Sequence, residues 1–292
     1  MEEILNAEVP ERCVQISEPW RAFTRHRAET DVAARWQQYE REHPQLLASA
    51  RRMFAFQPSP SDLLALAADE PRFAARVQAL GLEERAAAIC ALLGYQEPAP
   101  LRATVLVGCF EPTAWCDENS ANDVFFCVEK LPDDPNRCGL IAAHELTHAA
   151  HLNISRFEPG AWPVSRGLHA EALAIAVTLR LFSQLPATEH LGLEHPARTL
   201  DAYQAAERPV HETLLGLLEC CDEDAYRDVF YPDWGRPQAA GLPEQVGYLI
   251  ACQAAQRWND TNVCLARIAR WDDRQARKFF AATLTGRAFT AA

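Results

Sequence analysis

Three histidines and a glutamate interrupt an otherwise apolar, alanine-rich run, LIAAHELTHAAH, at residues 140–151. A charge in such a run is expensive and an imidazole needs a partner, so these polar groups ask for a shared purpose. In an α-helix, residues four apart stack on one face with Cβ atoms roughly 5–6 Å apart. His144 and His148 have that spacing, and two imidazoles so placed can grip one zinc ion. Glu145 projects beside them, close enough to take a proton from a water on the metal. Zinc lowers the pKa of such a water toward ~7, which makes hydroxide available at neutral pH. His151 falls on the same stripe one turn later. It reads as a neutral, hydrogen-bonded core ring or as a group lining or supporting the site.

Catalytic zinc normally takes three protein ligands and keeps a fourth position for water. Glu171, in the next helical segment, is the candidate for the third. It sits on the apolar stripe made by Leu168, Ile175, Leu179 and Phe182, where a carboxylate needs a cation. The alternatives are a surface glutamate or one paired with Arg166. His169 is a weaker substitute, because it points roughly 200° away around the helix from Glu171.

The elements that must position these residues follow from periodicity and punctuation. The first hundred residues read as helices: AETDVAARWQQYEREHPQLLASARRMF, then SPSDLLALAADEPRFAARVQAL with Ser61-Asp62 as N-cap, then LEERAAAICALLGY ending at a glycine. After the PAP at 98–100 the character changes. LRATVLVGCF and DVFFCVEKL are strand candidates separated by a turn-rich loop. Pro132 and Pro135 break the chain again, and from residue 138 onward nearly everything reads as helix, with an interruption at Pro209. The expectation is an α+β, mostly helical chain: a helical N-terminal lobe at residues 1–100 and a second domain at 101–292.

Composition sets bounds. The 292 residues include 49% hydrophobic ones, enough for a sizeable core, and carry a formal net charge of −12. Short basic stretches such as Arg25-His26-Arg27 are surrounded by acids, which argues against a nucleic-acid partner. The start, MEEILNAEVPERC, lacks the pattern of a secretory signal, and no apolar stretch approaches the ~18 residues of a membrane span. A soluble, cytoplasmic protein is expected. The 10 cysteines show no CxxC spacing and read as reduced thiols. Cys220-Cys221 is a vicinal pair able to oxidise or bind a soft metal.

IAAHELTHAAH, the downstream GLHAEALAIA and the late LPEQVGYLIACQAAQRW together resemble the gluzincins, zinc metallopeptidases with an HExxH helix and a glutamate ligand on a following helix. The sequence is most similar to a bacterial family of zinc-dependent proteases known as a domain of unknown function, from about residue 100 to the C-terminus. The resemblance implies a zincin-like fold, in which the metal helix packs under a small twisted sheet and DVFFCVEKL is the edge strand beside a peptide substrate. It implies Zn²⁺ held by His144, His148 and Glu171, with Glu145 as general base. It also points to Tyr248 as the hydroxyl that stabilises the developing oxyanion, or as an ordinary buried tyrosine; His211 is a fallback for that role. One departure stands out. Thermolysin-like gluzincins place an acid one turn after the glutamate ligand, and here that position is Ile175.

Two functions compete: a zinc-dependent peptidase, and a zincin-shaped binding or regulatory protein without catalysis. Phosphate-loop, dinucleotide-binding and nucleophile-elbow signatures are absent from the sequence.

Overall fold

The computed structural model describes residues 13–26, 31–47, 58–97, 99–108, 113–116, 123–155, 162–193, 196–231 and 241–287. Contacts group the chain into two compact units: Met1–Ala91 with Gln96–Ala150, and Leu92–Tyr95 with His151–Ala292. The class is α+β and mostly helical, with a small mixed sheet among the described residues. Among the described residues no helix is long and apolar enough to cross a membrane.

In the first unit, β1 (Val14–Ser17), β2 (Leu101–Leu106), β3 (Ala114–Cys116) and β4 (Asp123–Cys127) form a sheet ordered β1-β2-β4-β3. β1 pairs parallel to β2 with Val14 opposite Leu101, and β2 parallel to β4 with Ala103 opposite Val124. β3 runs antiparallel to β4, and the Trp115 and Phe125 rings stack 5.0 Å apart. Parallel neighbours need a long crossover. Between β1 and β2 the chain forms α1 (Trp20–Arg25), α2 (Val32–Glu42), α3 (Pro60–Asp69), α4 (Phe73–Leu80) and α5 (Leu82–Leu93).

Two expectations are corrected here. DVFFCVEKL is not the edge strand: β4 is paired on both sides, and its Val124, Phe126 and Cys127 are fully buried, as suits an interior strand. The edges are β1 and β3. The first hundred residues are also not wholly helical, because they supply β1. Both strands β2 and β4 are shorter than read, ending at Leu106 and Cys127.

The helix signals held in kind but shifted in place. α3 is capped by Ser59, not Ser61-Asp62: Ser59 accepts from the Asp62 N–H, Asp62 answers the Ser59 N–H, and Pro60 takes the first helical position where no N–H is needed. α5 ends at Gly94, whose φ of 58° is left-handed, as its glycine allows. Fully buried Tyr39 of α2 accepts the Val107 N–H at 3.1 Å, tying the helices to the end of β2. The Arg35–Glu70 ion pair, 2.6 Å and buried, joins α2 to the turn after α3.

The motif helix, α6 (Pro135–Ser155), begins at Pro135 instead of after it. Asp134 accepts the Asn136 N–H at 2.8 Å, and proline is suited to the position that follows a cap.

The second unit holds α7 (Val164–Leu181), α8 (Pro196–Ala205), α9 (Glu207–Leu217), α10 (Glu223–Phe230), α11 (Val246–Asp260), α12 (Leu265–Ile268) and α13 (Asp273–Leu284). The chain breaks at Ala206, so Pro209 falls in the first turn of α9, where its missing N–H costs nothing. α7 and α11 are the central pair and run parallel. A Cβ on Gly167 or on Gly247 would meet the Phe230 ring at 2.7 Å or less, so both helix starts abut α10. At the other end Asn259 donates to the Ala176 carbonyl at 3.3 Å and accepts from Arg180 at 2.9 Å.

Candidate metal centre

Along α6 from Cys138 to Leu152 every residue is buried except Ile141, His144, Glu145 and His148. Those four have the i, i+3, i+4, i+7 spacing of one helical face. The rest of the turn is held by Ala142, Ala143, Leu146, Ala149 and Ala150, and buried Thr147 satisfies its hydroxyl on the Ala143 carbonyl at 2.7 Å. The apolar run therefore anchors the helix, and its polar residues gather on the one face that is partly open.

On that face the His144 and His148 rings meet edge to face, centroids 4.6 Å apart, with their Nε2 atoms 3.0 Å from each other. Two nitrogens bound to one tetrahedral zinc at ~2.0–2.1 Å lie roughly 3.3 Å apart. The ring pair is thus close to the separation a shared ion imposes. In α7 every residue from Gly167 to Thr178 is buried except Glu171, which is half-buried. One ligand atom from each of His144, His148 and Glu171 lies within 4.8 Å of the other two. Two imidazoles and one carboxylate form a donor set used by catalytic zinc, so the residues present fit the ion. Arg166, the other cation considered for Glu171, makes a two-point pair with Asp273 at 2.6 and 2.8 Å.

The remaining sequence candidates separate clearly. His151 is 1% exposed and meets His169 edge to face at 4.7 Å, so it is a core ring. His169 is fully buried, stacks on Trp271 and bonds the Ile268 carbonyl through Nε2 at 3.0 Å. That carbonyl only accepts, so Nε2 carries the proton. Burial pushes the His169 pKa down to about 4, partly opposed by this hydrogen bond. His169 is a structural ring, not a ligand.

Tyr248 is half-buried in the first turn of α11, its ring 6.0 Å from Phe230. Glu171 is one turn past Gly167, and Gly167 and Gly247 both abut Phe230, so Tyr248 and Glu171 belong to the same end of the α7–α11 pair. His211 lies elsewhere. It bonds the Tyr203 hydroxyl at 2.8 Å and lines an open hollow of about 350 Å³ with Glu207, Leu215 and Thr285. Nothing from the HELTH segment lines that hollow. A larger hollow of about 400 Å³, walled by Asp69, Arg72, Arg76 and Lys130, is also without motif residues. Ile175 is completely buried, so no acid stands where thermolysin-like sites have one.

Ile141, the apolar member of the open face, was not among the residues singled out from the sequence. Its spacing from His144 and His148 was the available signal. Comparison with protein-family models, with curated proteins and with solved structures produced no match.

Proposed function

We propose that this chain is a zinc-dependent peptidase with a zincin-like fold. The observation that carries the reading is the convergence of His144, His148 and Glu171 within 4.8 Å, on otherwise buried helices. Zinc bound there would supply Lewis acidity and a water acidified toward pKa ~7.

The chain's own residues then divide the work. His144, His148 and Glu171 hold the ion. Glu145, next to His144 and on the same open face, accepts a proton from the attacking water and passes it to the amine that leaves when the peptide C–N bond breaks. Tyr248 donates its hydroxyl to the oxyanion that forms on the substrate carbonyl. Ile141 offers an apolar contact to a side chain of the bound peptide.

The test is metal analysis combined with a peptide library. Wild type should carry one zinc and cleave in a chelator-sensitive way. His144→Ala and Glu171→Ala should lose the metal. Glu145→Gln should keep it and lose turnover by a factor on the order of 10² to 10⁴, the usual scale of general-base catalysis. Stoichiometric zinc without any cleavage would instead favour a non-catalytic, zincin-shaped binding protein, and hydrolysis undiminished in Glu145→Gln would refute the assignment of the base.

A further inference from the structure

Cys220 and Cys221 lie in the turn between α9 and α10, the first half-buried and the second exposed. The same turn caps α7. That helix starts after Pro163 with no side-chain cap. Instead the Val164 N–H donates to the Cys220 carbonyl at 3.0 Å and the Ser165 N–H to the Leu218 carbonyl at 3.1 Å. Val164 and Ser165 are 0% and 1% exposed, so water does not replace a lost acceptor.

The Cys220 carbonyl belongs to the peptide bond that joins the two cysteines. A disulfide between neighbours closes an eight-membered ring around that bond. Cα atoms across an ordinary trans peptide are ~3.8 Å apart, short of the ~4.4–6.8 Å that disulfides usually span. Ring closure must therefore distort this peptide, and the carbonyl that Val164 uses is part of the distorted unit.

We propose that Cys220–Cys221 is an oxidation site whose vicinal disulfide uncaps α7 and so weakens the hold of Glu171 on metal, the last step resting on the zinc reading above. The oxidant is a low-molecular-weight disulfide. The exposed Cys221 thiolate attacks it, forming a mixed disulfide and expelling one thiolate. Cys220 then attacks the Cys221 sulfur, closing the ring and releasing the second thiolate. Two thiols on the protein are oxidised, the oxidant's S–S bond is reduced to two thiols, and the two protons go with them. Glu171 lies two helical turns beyond Val164, on the helix that loses its acceptor.

The full chain should be compared with and without oxidised glutathione. Peptide mapping should show about 2 Da lost across Cys220–Cys221. Amide exchange at Val164, whose acceptor belongs to the ring, should speed up by about tenfold or more, and at Ser165 by less, its Leu218 acceptor lying two residues outside. Zinc competition should show several-fold weaker binding. Cys221→Ser, treated identically, should keep the reduced values. Failure of the ring to form, a ring that leaves those amides protected, or a ring that leaves zinc affinity unchanged would each overturn the proposal. A protein that takes no zinc in either state would sink the peptidase reading while the exchange data still judge the cap.

Discussion

His169 illustrates how one buried side chain sets a pH limit. Its ring is held neutral until about pH 4, against an ordinary value of 6.5. Between those values the unfolded chain binds a proton that the folded chain refuses, so stability is full above pH 6.5 and falls as pH drops toward 4. The loss from this group is on the order of 3 kcal/mol. Urea midpoints at pH 7, 5 and 4 should follow that slope. His169→Gln, which keeps a donor for the Ile268 carbonyl, should flatten it even if the variant is less stable at pH 7. Legibility at this scale was uneven. His144 and His148 were readable because helical spacing alone makes them neighbours, and Glu171 because a carboxylate on an apolar stripe demands a reason. The cap on α7 was not readable, since it is made by backbone carbonyls of Leu218 and Cys220 and a carbonyl leaves no mark in side-chain pattern.

Between elements, the close approach of α7, α11 and α10 depends on two glycines. A Cβ at Gly167 would stand 2.6 Å from Tyr226 and one at Gly247 would stand 2.6 Å from Phe230. Gly167→Ala and Gly247→Ala should each cost about 1–3 kcal/mol, the usual range for overpacking. Pairing Gly247→Ala with Phe230→Leu should cost less than the sum, because both changes act on one contact; denaturant midpoints of the double-mutant cycle decide. Helix existence was well announced in the sequence by alanine-rich periodicity. Boundaries moved by a few residues at Ser59-Pro60, where the cap was read two positions late, and at Pro135 and Pro209, which were read as breaks and proved to be first-turn residues. Strand order could not be read at all. DVFFCVEKL has the composition of a buried strand, yet only its pairing with β2 and β3 reveals that it is interior.

For the whole molecule, the mostly helical α+β class was legible, but the small sheet was undercounted. β1 is only four residues, three of them exposed, too short and too polar to register as a period-two pattern. If zinc binds as proposed, saturation at 100 times Kd should stabilise the fold by ~2.7 kcal/mol. That is roughly 4 °C in Tm for a chain of this size. The gain should vanish with chelator and be missing in His144→Ala. The thiols should also sort by burial: desolvation pushes Cys138 and Cys252 up to about 11, so at pH 8 a disulfide reagent should label exposed Cys221 and Cys264 first. Finally, α7 and α11 lie side by side in the same direction, which sets like poles of two macrodipoles together at the Gly167–Gly247 end. Each contributes about half a positive charge there. On α7 the Leu218 and Cys220 carbonyls, accepting from the Ser165 and Val164 N–H groups, set negative oxygen against that charge and so ease the cost of bringing the two helix starts together.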